Sequence, residues 1–515
     1  MLKQKAAGGL WVALCCACTQ VAPVASSPDA GRAEFAEEIE VPKGPPRVVP
    51  VTSRSPEALQ AFTEARSLDD NNRDAEALRG FKKALELDPT FAFAQASVAY
   101  HTQGPEGLKG FERAIELART QGLPEAEQLF IQYLSAQRQD HAKAPDLIER
   151  VIRLAPDDWR ASFELGQQAF VQRKWTLAVE AYKKSMAINR TCTAYNNVAY
   201  ARAMQGHFDL GILALQKCIE LQPKEPNPLD SLGEIQLAAG QLDQAESTFR
   251  KAIELDSNFF TAWHGIAVAR FFRGDWAGGY AALKSARAAT LEPSDRFEVD
   301  VITAWAQLAE GKGAAGLQTL TRMEKEAGAL GEAATYSVIW GQINRAALLH
   351  ELGKDADALA TVKGALERLS KTRLPADIGA GLRRRALARE AMAESALGDL
   401  DGAARTLDAL GAAQREWAEN PELASARHLA EGSVLVARGK WPEAIKELSG
   451  CVLEGLTEWG YDYRTKPEDT YCRWLLYRAQ IHEHDAGAAA TRQELVARVS
   501  REAPFLYIHA KLAAP

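Results

Sequence analysis

From residue 56 onward the chain repeats one pattern: apolar positions recur at helical spacing over about 12 to 16 residues, short polar turns intervene, and strand-like alternation is almost absent. The pattern also repeats at long range. GQLDQAESTFRKAIELD (240–256) echoes NNRDAEALRGFKKALELDP (71–89), VQRKWTLAVEAYKKSMAIN (171–189), QGHFDLGILALQKCIELQP (205–223) and ARGKWPEAIKELSGCVLE (437–454). A chain built this way is expected to be all-α, an array of helical hairpins in which no single unit can bury its apolar face and each neighbour completes the next.

Within the units a small residue is followed four positions later by a large one: Ala77 and Phe81, Ala144 and Ile148, Ala178 and Tyr182, Gly211 and Leu215, Ala245 and Phe249, Gly279 and Leu283. The preceding helices carry Leu165-Gly166, Val198-Ala199, Leu232-Gly233 and Ile266-Ala267, spaced 33, 34 and 34 residues apart, and Trp263 stands three residues before Ile266. These residues resemble the tetratricopeptide repeat, a helix pair of about 34 residues with the pattern W-x2-L-G-x2-Y, then A-x3-F, then P. The resemblance implies a right-handed α-solenoid whose first helices line a concave groove. It covers residues 55–290, with a departure over 103–143. Residues 291–501 are expected to form a degenerate array, with small-large-small cores at Ala358/Val362/Ala365, Ala403/Leu407/Leu410 and Ala444/Leu448/Cys451, followed by a tail at 502–515.

In that family the second, fifth, ninth and twelfth residues of each first helix face the groove. Here these include Arg160, Phe163, Gln167 and Phe170, then Asn196 and Tyr200, Asp230 and Glu234, and His264 and Phe271. An aromatic and amide surface with a carboxylate patch can clamp an extended peptide or a helix. Packing on adjacent repeats is an equal reading for Phe163 and Phe170. One branch of the family uses Lys, Asn and Arg at these positions to grip acidic chaperone tails. Phe163, Gln167, Asn196 and His264 do not reproduce that clamp, so a neutral or basic ligand is expected.

Composition changes the picture at the N-terminus. The 515 residues are 47% hydrophobic and 25% charged, which suits a folded chain, and the net charge of −7 supplies no basic field for nucleic acid. Lys3 and Lys5 precede an apolar run over residues 6–17 that is too short to span a bilayer, as in an export signal. LCCACTQ (14–20) resembles the end of a bacterial lipoprotein signal, with Ala17-Cys18 at the processing site and Cys18 as the lipidated first residue of the mature chain. Cys15 stands where Leu is usual. Ordinary signal cleavage near Val24-Ala25-Ser26 is the rival, and would leave a secreted or soluble periplasmic protein. By resemblance to envelope sorting, Thr19 after the anchor directs the protein to an outer membrane, facing the periplasm. Residues 19–54, rich in Pro, Ala and Ser, read as a tether.

Other motifs have competing readings. GKGAAG (311–316) matches a dinucleotide fingerprint but follows a helical stretch rather than a strand, so a turn between helices is expected. His482 and His484, two apart, face opposite sides of a helix and read as a solvated helix end rather than a metal pair. Cys218 and Cys451 fall at small core positions, and Cys192 lies 26 residues before Cys218 on the paired helix, where an exported protein could oxidise the pair. LRRRALARE (382–390) reads first as a solvated face and second as a patch for an acidic partner. No catalytic constellation, cofactor motif or metal spacing emerges. The expected function is a non-enzymatic scaffold, lipid-tethered to the envelope, holding partners of an assembly, secretion or motility complex. The alternative is an enzyme-linked sensor or metal-dependent enzyme with a site near His482, His484 or Tyr463.

Overall fold

The computed structural model describes residues 45–70, 73–102, 104–139, 143–172, 174–290, 293–372, 374, 376–415, 422–450, 467–497 and 503–513. Cys18, Cys451 and Tyr463 lie outside them. Among the described residues the backbone forms twenty-five α-helices, one 3-10 turn (Gly331–Ala334) and no strand. They follow one another as antiparallel hairpins. These are α1 (Pro56–Asp69) with α2 (Asp74–Leu87), α3 (Ala92–Tyr100) with α4 (Gly104–Thr120), α5 (Glu125–Gln139) with α6 (Ala144–Leu154), and α7 (Trp159–Val171) with α8 (Trp175–Ile188). Next come α9 (Cys192–Met204) with α10 (Phe208–Leu221), α11 (Pro226–Ala238) with α12 (Leu242–Leu255), α13 (Phe260–Phe272) with α14 (Trp276–Ala289), and α15 (Pro293–Ala309) with α16 (Gly313–Gly328). The series ends with α17 (Thr335–Glu351) and α18 (Asp355–Ser370), α19 (Ala376–Ala396) and α20 (Leu400–Arg415), α21 (Glu422–Ala437) and α22 (Trp441–Ser449), then α23 (Pro467–His482), α24 (Ala488–Ala497) and α25 (Ala503–Ala513).

Local chemistry starts and stops these helices. Ser55, Asp158, Thr191 and Asp275 accept backbone N–H groups at the starts of α1, α7, α9 and α14, satisfying donors that the helix itself cannot. First helices end on a glycine in the left-handed region, as at Gly274 and Gly311. Gly311 belongs to GKGAAG, which is therefore an inter-helix turn. The last glycine of that motif, Gly316, lies where an added Cβ would come 2.7 Å from the Ala304 carbonyl oxygen, so its small size serves packing.

The small-large rule has the same physical basis. Phe249 on α12 is fully buried, and its ring fills the space opened by Gly233 on α11 and Gly265 on α13; a Cβ at Gly233 would stand 2.6 Å from Phe249 Cε1. Burying one such ring is worth about 1.5–3 kcal/mol. The same rule operates in the second half, where Ala358, Val362, Ala365, Ala403, Leu410, Ala444 and Leu448 are all buried. One apolar core runs from Val49 to Ala161 and a second from Leu237 to Leu512.

First helices of successive hairpins touch one another more closely than second helices do, so the array curves with the first helices inside. It comes round far enough that α5 meets α19. Residues 503–513, within the stretch expected to be a tail, form α25. Its Leu506, Tyr507, Ile508 and Leu512 are buried, and the helix packs on α15 and α23. Cys192 and Cys218 are joined by a disulfide between α9 and α10, with Cα atoms 4.3 Å apart. Cys218 is thus a core residue and a bridge together, because the small position that lets two helices approach also brings two sulfurs within bonding reach. No helix among the described residues is long and apolar enough to cross a membrane.

Candidate interaction groove

The ten groove positions lie on the inward helices α7, α9, α11 and α13, but their surroundings differ. Arg160, Phe163, Gln167, Phe170 and Glu234 are half-buried, whereas Asn196, Tyr200, Asp230, His264 and Phe271 are buried. Contacts with the partner helix of the same hairpin account for most of this, and one crosses to the next repeat. The Tyr200 hydroxyl donates to Glu234 at 2.7 Å, and the Tyr182 hydroxyl donates to Gln167. Phe163 packs on Tyr182, Phe170 on Trp175, and Phe271 on Trp276 and Tyr280, with ring centroids 5.0–5.5 Å apart. Phe271 faces its own hairpin partner, since it occupies the space above Gly279.

The N-terminal part of the inward face is knitted by charge. The Arg160 guanidinium forks onto both carboxylate oxygens of Asp70 at the end of α1, and the Thr193 hydroxyl donates to the Asp70 carbonyl. His101 Nε2 stands 2.9 Å from Asp69. Burial together with the neighbouring Arg160 charge lowers the Arg66 guanidinium to about 10. Burial pushes Glu164 up to about 7, against the hydrogen bonds it receives from Tyr133 and Gln137.

An extended segment closes the edge of this region. Residues 47–54, from the stretch read as a tether, run past the starts of successive first helices and are held by carboxylates. Asp157 and Asp158 accept the Arg47 and Val49 N–H groups at 2.8 and 3.0 Å. Glu127, wholly buried, accepts the Thr52 N–H and hydroxyl at 2.9 and 2.7 Å. Asp88 accepts the Ser53 hydroxyl and the Arg54 N–H at 2.7 and 2.9 Å, and the hydrogen bonds it receives hold its carboxyl down at about 2 against the opposing effect of burial.

The second half presents something different. A small cleft of about 10 Å³, room for about one water, lies between α15, α17 and α19 and is lined by Trp305, Trp340, Ile343, Asn344, Ala347, Arg385 and Arg389. Trp305 Nε1 donates to Asn344 Oδ1 at 3.0 Å, and Asn344 Nδ2 donates to the Trp340 carbonyl at 2.9 Å, so one amide fixes both indole-bearing helices. Arg385 lies over the Trp340 ring at 5.2 Å and Arg389 over Tyr471 at 4.6 Å. LRRRALARE is therefore only partly a solvated face: Arg383 is exposed, while Arg385 is half-buried and Arg389 is 6% exposed. The sequence carries a signal for this cleft. Counted back from the turn glycines Gly274, Gly311, Gly353 and Gly398, the thirteenth residue is Thr261, Glu298, Trp340 and Arg385, and the sixth is Val268, Trp305, Ala347 and Met392. The groove register thus continues through the degenerate half.

The Tetratricopeptide repeat family model matches residues 229–259, which span most of α11 and all of α12. Residues 229–259 are thus similar to a tetratricopeptide repeat, and the hairpins before and after them have the same all-α form. Among curated proteins, this repeat protein is similar to heat shock protein STI1 of Saccharomyces cerevisiae, 26% identical over 115 residues that make up 22% of this chain and 19% of that protein. It is also similar to Hsp70-Hsp90 organizing protein 1 of Glycine max, 29% identical over 18% of this chain and 17% of that one. It thus spans about a fifth of the length of the curated relatives it matches. A solved structure of the APC/C hetero-tetramer Cut9-Hcn1 aligns over 82% of this chain and 76% of its own, at 15% identity and a TM-score of 0.37.

Elsewhere in the repeat protein, His482 ends α23 and stacks on Trp441 with ring centroids 3.9 Å apart, and His484 is exposed with φ of 53°. Among the described residues no group of three or more His, Cys, Asp or Glu side chains is placed to hold a metal ion.

Proposed function

We propose that this protein is a non-enzymatic scaffold that holds other proteins at a bacterial envelope, anchored to the outer membrane through an acylated Cys18 and facing the periplasm. The observation that carries the reading is the inward face itself: stacked first helices present Arg160, Phe163, Gln167 and Glu234 half-exposed along one line, on a rigid array suited to gripping an extended or helical segment. Tetratricopeptide repeats bind proteins or peptides, and the family is generally non-enzymatic. Two further features support export and tethering. A disulfide such as Cys192–Cys218 persists in oxidising compartments, and the bound segment 47–54 gives a tether a fixed point of attachment. An assembly, secretion or motility complex is the setting that suits a tethered scaffold of this kind.

Affinity purification from detergent-solubilised envelopes tests this. Stoichiometric partners are expected with the native chain and are expected to be lost with Phe163→Ala combined with Gln167→Ala. Tyr200 and Phe271 are poor choices because each is 4% exposed and its removal would disturb the core. Partners recovered equally with the double variant would remove the groove from the reading. Retention of the protein in membranes after Cys18→Ser would remove the anchor.

A further inference from the structure

Residues 47–54 form a strap whose register points beyond them. Followed from Arg54 back to Arg47, the strap crosses the turns between hairpins in order: Asp88 before α3, Glu127 in the first turn of α5, then Asp158 and Asp157 before α7. It arrives there on a reciprocal pair, since the Arg47 N–H donates to the Asp157 carboxylate at 2.8 Å and the Asp157 N–H donates to the Arg47 carbonyl at 3.1 Å. Thr52 at Glu127 and Val49 at Asp158 are three residues apart and one hairpin apart. That step is about 10 Å of extended chain. Side chains alternate along it: Val49 is buried and Val51 and Ser53 are half-buried, while Val48, Pro50, Thr52 and Arg54 are exposed.

Carried back at three residues per hairpin, the register assigns Pro46 to the turn before α9, capped by Thr191, and Lys43 to the turn before α11, capped by Glu225. The chemistry agrees at both turns. Pro46 has no N–H to donate, and the Thr191 hydroxyl already accepts the Ala194 N–H at 3.2 Å. Glu225 makes no side-chain cap bond to its own helix, so its carboxylate can take a lysine. The edge around these turns is apolar and basic: Ile188 and Leu221, which close α8 and α10, are 41% and 49% exposed, and Arg190 and Lys224 are exposed beside them. The sequence preceding the described residues is EIEVPKG over 38–44. In the strap's alternation Ile39 and Val41 fall on the inner side, Glu38 and Glu40 on the outer. Seven extended residues reach about 23 Å, enough for two further turns.

We infer that residues 38–44 dock on this edge as a continuation of the strap, with Lys43 on Glu225, Ile39 and Val41 over the exposed aliphatic side chains, and Glu40 beside Lys224. The docking needs no lipid anchor. In an anchored chain it takes these residues out of the free tether and moves the tether's point of departure from α7 to α11.

Amide hydrogen exchange of the full mature chain tests this, with synthetic peptides of the matching 38–44 sequence as the unprotected standard. The segment is expected to exchange at least about tenfold more slowly in the native chain than in the peptide. Lys43→Glu and Glu225→Lys each turn an attraction into a repulsion, and each is expected to bring exchange to within about threefold of the peptide; the two together are expected to restore slow exchange. Val49 should stay protected throughout. Lys43→Glu changes no residue of the helical array, so its effect does not come from a folding defect. Exchange at the peptide's rate in the native chain, slow exchange in either single variant, or no recovery in the double variant would each overturn the assignment. So would protection that disappears on about hundredfold dilution, which would make a second copy of the chain the occupant.

Discussion

The inward face carries two regions of opposite design. From Arg47 to Thr193 charged side chains pair within the chain: Arg160 with Asp70, and Asp88, Glu127, Asp157 and Asp158 with the N–H groups of the strap formed by residues 47–54. From Trp305 to Arg389 the face is built of indoles and guanidiniums, and one buried cation has no anion. Both regions come from the same hairpin geometry. A solenoid places side chains at equivalent depths, and the pairing chemistry decides whether a stretch of face is held by ion pairs or by stacked rings and guanidiniums.

The comparison predicts different responses to mutation, beginning with the largest. Trp305→Ala removes a wall that is also fully buried core, and is expected to cost about 3–5 kcal/mol in urea unfolding. If the cost stays under about 1 kcal/mol, that region is a loosely packed surface rather than closed core. Replacing Cys192 and Cys218 together by Ala is expected to cost about 2–4 kcal/mol by the same measurement, since the bridge closes a loop of 26 residues between the two regions. Asp158→Ala takes away the cap of α7 and the acceptor for Val49 together, with an expected loss of about 2 kcal/mol. Amide hydrogen exchange should then quicken at Val49 while the cleft residues stay protected. Faster exchange at Trp340 would mean that the regions are not independent.

The smallest expected effect is on pH dependence. Glu164 titrates at about 7 in the folded chain against 4.5 in its absence, so the native state retains a proton that the unfolded chain releases between those values. That carboxyl therefore contributes a loss of stability as pH rises from 4.5 towards 7. Glu164→Gln, which cannot ionise and still accepts from Tyr133, should remove that contribution and raise the urea midpoint at pH 8 more than at pH 5. Asp88 has the opposite sign: held near 2, it supports the strap above the ordinary carboxylate range and releases it as pH falls through about 2. An equal gain for the Gln variant at both pH values would show that Glu164 is not perturbed by its position.

Much of this was legible along the chain. The hairpin array follows from helical period, turn glycines and the small-large rule, each of which is local. The first-helix groove positions were also legible as positions, because the repeat register fixes which side of a helix faces inward. Their burial was not. Tyr200 is 4% exposed because Glu234 lies one repeat later, 34 residues along, and Phe271 because Gly279 leaves room beneath it. Arg389 sits in a run of arginines that could equally have faced water; the approach of α23, carrying Tyr471, covered it. The strap was unreadable for a similar reason, since Pro- and Ser-rich sequence without periodicity gives no sign that four carboxylates distant in sequence will hold its backbone.

Sequence alone determined that this protein is an all-α repeat array and which small and large residues interlock its hairpins, because each of those depends on neighbours within one or two turns. Tertiary structure decided which charges find partners, which cysteines bridge and which inward-facing side chains are covered. Those outcomes depend on the cumulative curvature of many hairpins, which brings α5 to α19, the strap to α7 and α25 back onto α15.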